Sequence, residues 1–139
     1  VYRQMFKALA QGCPTLDISD CPDLGPVLFA LAALLNGGTF NGTKRLAIKE
    51  SDRGKIMCEE LAKFGVKTQQ SENKIIVKKG ILTSPSQKIL GHNDHRIVMA
   101  LATMLTVTGG IITDAHAVKK SFPGYFDVIK SLGIDVTRK

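Results

Sequence analysis

The stretch that decides the fold is Asp23-Leu24-Gly25-Pro26-Val27-Leu28-Phe29-Ala30-Leu31-Ala32-Ala33-Leu34-Leu35. From Leu24 to Leu35 it reads as a helix with no polar side, and a helix that is apolar all round belongs in an interior. Asn36, Gly37 and Gly38 stop it. A second apolar helix runs from Asp94 to Thr108 and is stopped by Gly109 and Gly110. The interval from Asp23 to Lys49 equals that from Asp94 to Lys120, and the glycine pairs nearly coincide, so the chain contains an internal repeat. Two buried helices in a duplicated unit predict an α+β fold (mixed α/β) in which the helices pack along a common axis inside and sheets lie outside.

Working outward, Thr15 to Ser19 alternates as a strand, and Asp20, Pro22 and Asp23 break it. Thr39 to Lys49 reads as extended structure interrupted at Asn41 and Gly42, after which Ser51 is placed to cap a helix running to about Phe64. That helix turns Met57, Leu61 and Phe64 inward and leaves Lys55, Glu59, Glu60 and Lys63 on the solvent side. Val66–Gln70 and Lys74–Lys79 flank Ser71, Glu72 and Asn73 as a hairpin, and Gly80 to Ser86 reads as a linker. The second unit repeats the theme with a short strand at Lys88–Leu90, extended structure at Gly110–Asp114 and a helix opened by Ser121 and Pro123. That helix carries Phe126, Ile129 and Leu132, and Ile134–Thr137 follows as a last extended piece. The expected organisation is a unit at 15–79, a linker at 80–86 and a unit at 87–139. Val1 to Gly12 reads as an amphipathic helix already under way, with Tyr2, Met5, Phe6 and Leu9 on one side, the expectation for a piece of a longer protein.

With 139 residues, 44% apolar and 22% charged, the chain has enough material for one core and not the bias of a disordered protein. Cys13, Cys21 and Cys58 are odd in number and lack paired zinc-type spacing, so they read as reduced thiols of a cytoplasmic protein. No apolar run is long enough to cross a bilayer, and no membrane partner is expected. The net charge of +7 favours an anionic partner. Nucleic acid fits poorly, because the basic residues are scattered, Trp is absent and aromatics are only 6%. No glycine-rich nucleotide fingerprint follows any strand.

The chemistry concentrates in Lys49-Glu50-Ser51-Asp52-Arg53, where a strand gives way to a helix, and in Asn93-Asp94-His95-Arg96, which opens the second apolar helix. An arginine in the first turn of a helix faces unpaired N–H groups and partial positive charge, a cost of roughly 0.3–1 kcal/mol unless an anion or carboxylate lies near. Arg53, Arg96 and Lys120, with Lys49 at the matched repeat position, suit a small ligand carrying both phosphate and carboxylate, such as phosphoenolpyruvate. The plainer alternative is that Asp52–Arg53 and Asp94–Arg96 close local ion pairs at helix caps and that Asp23 caps its own helix. His92, Asp94 and His95 offer metal-ligand atoms, yet neighbouring positions at a helix start rarely converge on one ion, so no metal is expected. Cys21 and Cys58 read as packing residues.

Ile48-Lys49-Glu50-Ser51-Asp52-Arg53, Asn93-Asp94-His95-Arg96, Lys120-Ser121-Phe122-Pro123-Gly124-Tyr125-Phe126 and Cys21-Pro22-Asp23 closely resemble, in the same order, the C-terminal signatures of EPSP synthases. These are enolpyruvyl transferases. The resemblance implies βαβαββ units with buried parallel helices, three to a domain, of which this chain supplies about two as part of a C-terminal domain. It also implies transfer of the carboxyvinyl group of phosphoenolpyruvate to the 5-hydroxyl of shikimate-3-phosphate, with release of phosphate and no cofactor, in aromatic amino-acid biosynthesis. Glyphosate targets this enzyme.

Carried over by motif, Asp23 hydrogen-bonds the shikimate 5-hydroxyl and takes its proton, and Lys49 touches the same hydroxyl. Glu50 delivers a proton to the methylene carbon of phosphoenolpyruvate. Arg53, Arg96 and Lys120 clamp the charges of phosphoenolpyruvate, Asp94 orients the site, and Arg45 falls near a family position that contacts shikimate-3-phosphate. Gly54 departs from the bulky apolar residue of many members. The family's N-terminal domain supplies an essential Lys and Arg, so the resemblance implies that domain as a partner and an incomplete, inactive site without it. The alternative from another class is a catalytically silent anion-binding module of the same fold.

Overall fold

The computed structural model describes residues 1–139. Helix α1 (Tyr2–Gln11) buries Met5 and Leu9 and lies against α2 (Gly25–Leu34). Strands β1 (Thr15–Asp17), β2 (Gly38–Asn41), β3 (Thr68–Ser71) and β4 (Lys74–Val77) form one sheet in the order β1-β2-β4-β3. The first two are parallel, with Leu16 opposite Phe40, and parallel neighbours need a crossover, which α2 supplies. Antiparallel β2–β4 sets Phe40 opposite Ile75, and β3–β4 closes the expected hairpin around Glu72 and Asn73. With α3 (Arg53–Ala62) between β2 and β3, the first unit has the order βαβαββ.

The second unit is built on α4 (His95–Thr108), which packs along α2, and on α5 (Tyr125–Ser131). Phe29, Phe40, Met57, Leu61, Phe64, Ile75, Ile97 and Leu101 join both units in one continuous core. Phe29 of α2 meets Phe40 of β2 edge to face with ring centroids 4.9 Å apart, tying the central helix to the sheet. Val98, Ala102, Ala117, Val118 and Tyr125 form a smaller cluster under α5.

Several sequence expectations need correction. Residues 43–48 are not extended: Thr43–Ile48 forms a 3-10 turn, repeated as Ala115–Lys120, and each is entered by a left-handed residue, Gly42 (φ 76) and Asp114 (φ 56). A Cβ at residue 42 would collide with Ser19, so glycine is required there. In the second unit the strands shrink to one parallel bridge, Ile89 with Ile112, and Ile134–Thr137 forms no strand. The first apolar helix is not buried all round, since Val27, Leu31 and Leu34 are half-buried and Leu35 is exposed. Asp52, not Ser51, caps α3, accepting from the Lys55 N–H, and the helix ends two residues before Phe64. Leu132 lies past α5 and is exposed. Glu60 is not on the solvent side; it is only 2% exposed. No helix is long and apolar enough to cross a membrane.

Because Phe29 is fully buried where helix meets sheet, Phe29→Ala should lower unfolding free energy by about 3–5 kcal/mol. Urea denaturation checks this, and a loss below about 1 kcal/mol contradicts the packing described.

Candidate active site

Three helix starts meet at one point. The N-terminal ends of α2, α3 and α4 bring together Asp23, Arg53 and Asp94, and the Arg53 guanidinium, 1% exposed, sits at the centre. Its Nε donates to Asp94 Oδ2 at 2.9 Å and its Nη2 to Asp94 Oδ1 at 3.2 Å, a bidentate pair across the two units. Nη1 donates to Asp23 Oδ1 at 3.0 Å and Nη2 also to Glu50 Oε2 at 2.5 Å. Ser51 Oγ donates to Asp94 Oδ2 at 2.7 Å instead of capping α3.

Asp52 and Asp94 do cap their helices, but the local ion pairs Asp52–Arg53 and Asp94–Arg96 do not form. Arg53 does not pair with Asp52; it reaches across the molecule to Asp94. Asp23 makes no cap hydrogen bond at the start of α2, which leaves its carboxylate for Lys49 Nζ at 3.2 Å, Arg53, and Arg96 Nη2 at 3.7 Å. Asp94 does cap α4, accepting from the Arg96 N–H at 3.0 Å, while the Arg96 guanidinium turns to Asp23. Asp23, Lys49, Glu50, Arg53, Asp94 and Arg96 are thus gathered in one cluster. Lys120 Nζ stands beside it, 3.4 Å from the Asn93 carbonyl. Arg45 is not in the cluster; its Nη1 donates to the Ser19 carbonyl at 2.9 Å.

Electrostatics follow from the contacts. Burial works to raise the Asp94 carboxyl, but hydrogen bonds from Arg53 and Ser51, the Arg53 charge and the Arg96 N–H outweigh it and hold the group below 3.8. Partial burial likewise works to raise Asp23, and the bond and charge of Lys49 with the charges of Arg96 and Arg53 reverse it. Burial alone would deprotonate Arg53 more easily, yet Asp94, Glu50 and Asp23 hold it more firmly protonated. Asp23 and Glu50 keep half their side-chain surface in solvent, 48% and 49%, and are open to a ligand. A groove of about 210 Å³ begins at Asp23 and Arg96 and runs between Val27, Met99, Thr103 and Tyr125. A larger depression, about 340 Å³, is bounded by Ala62, Lys63, Ser86 and Gln87, away from the carboxylates.

Two residues that the sequence reading did not place in the substrate site, His95 and Ser121, join it. His95 Nδ1 lies 2.5 Å from Ser121 Oγ, and its Nε2 lies 3.9 Å from Glu50 Oε1. The repeat carried the signal, because Ser121 is the repeat-equivalent of Glu50 and both flank one imidazole. His92 turns to Glu60, and Asp94 is spent on Arg53, Ser51 and the Arg96 N–H, so His92, Asp94 and His95 do not converge.

The family model for EPSP synthase (3-phosphoshikimate 1-carboxyvinyltransferase) matches residues 6–129, which contain every residue of the cluster. This chain belongs to the EPSP synthase family. It is 42% identical over 122 residues to a Clostridium perfringens 3-phosphoshikimate 1-carboxyvinyltransferase, covering 85% of this chain and 28% of that protein. A Saccharolobus solfataricus protein of the same name is 37% identical over 126 residues, 88% of this chain and 30% of the other. The solved EPSP synthase of Acinetobacter baumannii superimposes with a TM-score of 0.72 at 30% identity, over 84% of this chain and 29% of that one. The chain thus spans less than a third of the length of these EPSP synthases. Gly54 is buried where a Cβ would lie 3.2 Å from Ile75 Cδ1 and 3.3 Å from Gln70 Nε2. The hairpin packs close over the start of α3 there.

The depressed carboxyls fix a pH dependence. The folded values of Asp94 and Asp23 lie below the unfolded ones, so on acidification the unfolded chain takes up protons first. Their stabilisation is complete above about pH 5 and disappears as pH falls through the folded values. Melting temperatures of the wild type should hold steady from about pH 7 to 5 and fall below about pH 4. Asp94→Asn should melt lower at neutral pH and lose less on acidification; an equal acid-induced loss in both proteins contradicts the assignment.

Proposed function

We propose that this chain supplies one half of the site at which the carboxyvinyl group of phosphoenolpyruvate passes to the 5-hydroxyl of shikimate-3-phosphate. The observation that carries the reading is the convergence of Asp23, Glu50 and Asp94 with Lys49, Arg53 and Arg96 at three helix starts. Asp23, held ionised and half exposed, takes the 5-hydroxyl proton as that oxygen bonds to C2 of phosphoenolpyruvate. Lys49 stands against the same carboxylate and touches the same hydroxyl. Glu50, in its protonated form, gives a proton to the methylene carbon, and the product of addition is tetrahedral at C2. Elimination returns one methyl proton to Glu50, re-forms the double bond and breaks the bond from C2 to the phosphate oxygen, which leaves with the electron pair and takes the hydroxyl proton held by Asp23.

Arg96 and Lys120 are the cations best placed to clamp phosphoenolpyruvate, since Arg96 is partly exposed and Lys120 has only a backbone carbonyl as partner. Arg53 already makes four hydrogen bonds to carboxylates, leaving one of its five N–H groups for the ligand. It acts chiefly by fixing Asp23, Glu50 and Asp94. Arg45 stands outside the cluster and is proposed only as a peripheral contact to shikimate-3-phosphate.

This chain covers only 28% of the Clostridium perfringens relative, and we attribute the other half of the site, with further cations, to an N-terminal domain. The chain by itself is then inactive. Grafting residues 6–129 into the Clostridium perfringens relative should give an enzyme that releases phosphate from phosphoenolpyruvate with shikimate-3-phosphate and not with UDP-N-acetylglucosamine. Glu50→Gln in that graft should cut turnover by roughly 100-fold or more. A graft that folds and binds phosphoenolpyruvate without turnover would instead support a silent anion-binding module.

A further inference from the structure

A second buried charge lies outside the site. Glu60, on α3, is 2% exposed and has three donors: Lys63 Nζ at 2.8 Å and the Leu90 N–H at 3.0 Å, both on Oε2, and His92 Nε2 at 3.1 Å from Oε1. Two of these partners lie in the other unit, on either side of Gly91. Glu60 therefore grips the segment that leads into Asp94 from the side of α3, the same helix whose first residue is Arg53.

That segment needs a grip. His92 (φ 52) and Asn93 (φ 51) are consecutive left-handed residues that are not glycine, a conformation that neighbouring structure must enforce. Gly91 starts the turn, with the Asp94 N–H bonded to its carbonyl at 3.1 Å, and a Cβ there would collide with the Thr113 carbonyl and Val98. The outcome of the turn is functional geometry: it faces the Asn93 carbonyl to Lys120 and the Asp94 carboxylate to Arg53 and Ser51. The grip and the turn's products thus lie at opposite ends of one rigid helix and one short loop.

We infer that Glu60 is a positioning residue: by holding Leu90 and His92 it fixes the left-handed turn that sets Asp94 against Arg53 and the Asn93 carbonyl against Lys120. It touches no ligand. The inference rests on the proposed reading for its consequence in catalysis, but the placement itself is measurable without any reaction. An error of about 1 Å in such a support is enough to cost a reaction up to 100-fold.

The test uses this chain, with the Arg53 Nε–H resonance as the reporter of its bond to Asp94. In Glu60→Gln that proton should exchange with solvent roughly tenfold faster or more, with a shifted resonance, because the amide lacks the charge that holds Lys63 and keeps one acceptor oxygen where the carboxylate has two. His92→Ala, which removes only the partly exposed partner, should move it in the same direction and serves if Glu60→Gln fails to fold. Leu61→Ala, an equally buried neighbour without polar partners, should lower the melting temperature and leave the Arg53 signal in place. Unchanged exchange in the folded Glu60 and His92 variants, or an equal change in Leu61→Ala, overturns the inference. In the active graft, Glu60→Gln should lower turnover by roughly tenfold, whereas Leu61→Ala should not. An inactive unsubstituted graft would count against the proposed function and leave the resonance result standing.

Discussion

The interaction on which the rest depends is the buried guanidinium of Arg53 bound by carboxylates from three separate pieces of chain. A charge with 1% exposure is tolerable only when its donors are nearly all satisfied, and here Asp94 supplies a bidentate partner that is itself fully buried. Satisfying Arg53 forces the starts of α2, α3 and α4 to one place. The apolar core permits many small adjustments of one helix along another; this ion cluster permits few. It converts a nonspecific preference of two apolar helices to pack into one particular register.

The repeat explains why the cluster can serve a ligand as well as the fold. Asp23 and Asp94 occupy matched positions, and both accept from Arg53. Lys49 and Lys120 also match, and each reaches the helix start of its own unit from the end of a 3-10 turn. The symmetry is broken where chemistry is needed. Asp94 is sealed from solvent, while Asp23 is half open; Glu50 has Ser121 as its counterpart, and His95 sits between them. One unit thus contributes the exposed carboxylates and the other the buried support and the freer cations.

Much of this was legible in the sequence because it depends on local pattern. The apolar runs before Gly37 and Gly109 gave both central helices, the Glu72–Asn73 turn gave the hairpin, and the matched intervals gave the repeat. What the pattern could not show was direction. Thr43–Ile48 continues from a strand and reads as extended, yet past the left-handed Gly42 it turns into a 3-10 helix. Glu60, three residues after Met57 and four before Phe64, borders the apolar face and reads as solvent-side only by its charge; a loop about 30 residues later folds over it with a donor for each oxygen. Arg53 was singled out at a helix start, yet nothing local revealed that its partner is Asp94 and not Asp52, since that choice is made by the packing of α2 against α4. Ser51 and His95 stand in the motifs, but their partners Asp94 and Ser121 are set by the same packing and not by local pattern.

The central claim is that Arg53 and Asp94 act as one unit in holding the two halves of the chain together. A double-mutant cycle on unfolding free energy with Arg53→Met, Asp94→Asn and the pair measures this directly, and asparagine keeps the cap on α4. Arg53→Met should cost about 3–5 kcal/mol, because it leaves the buried Asp94 without its cation; Asp94→Asn, after which Arg53 keeps Asp23 and Glu50, should cost less, and the double change should cost little more than Arg53→Met alone. Costs that add to within about 0.5 kcal/mol would show two independent residues and contradict the account.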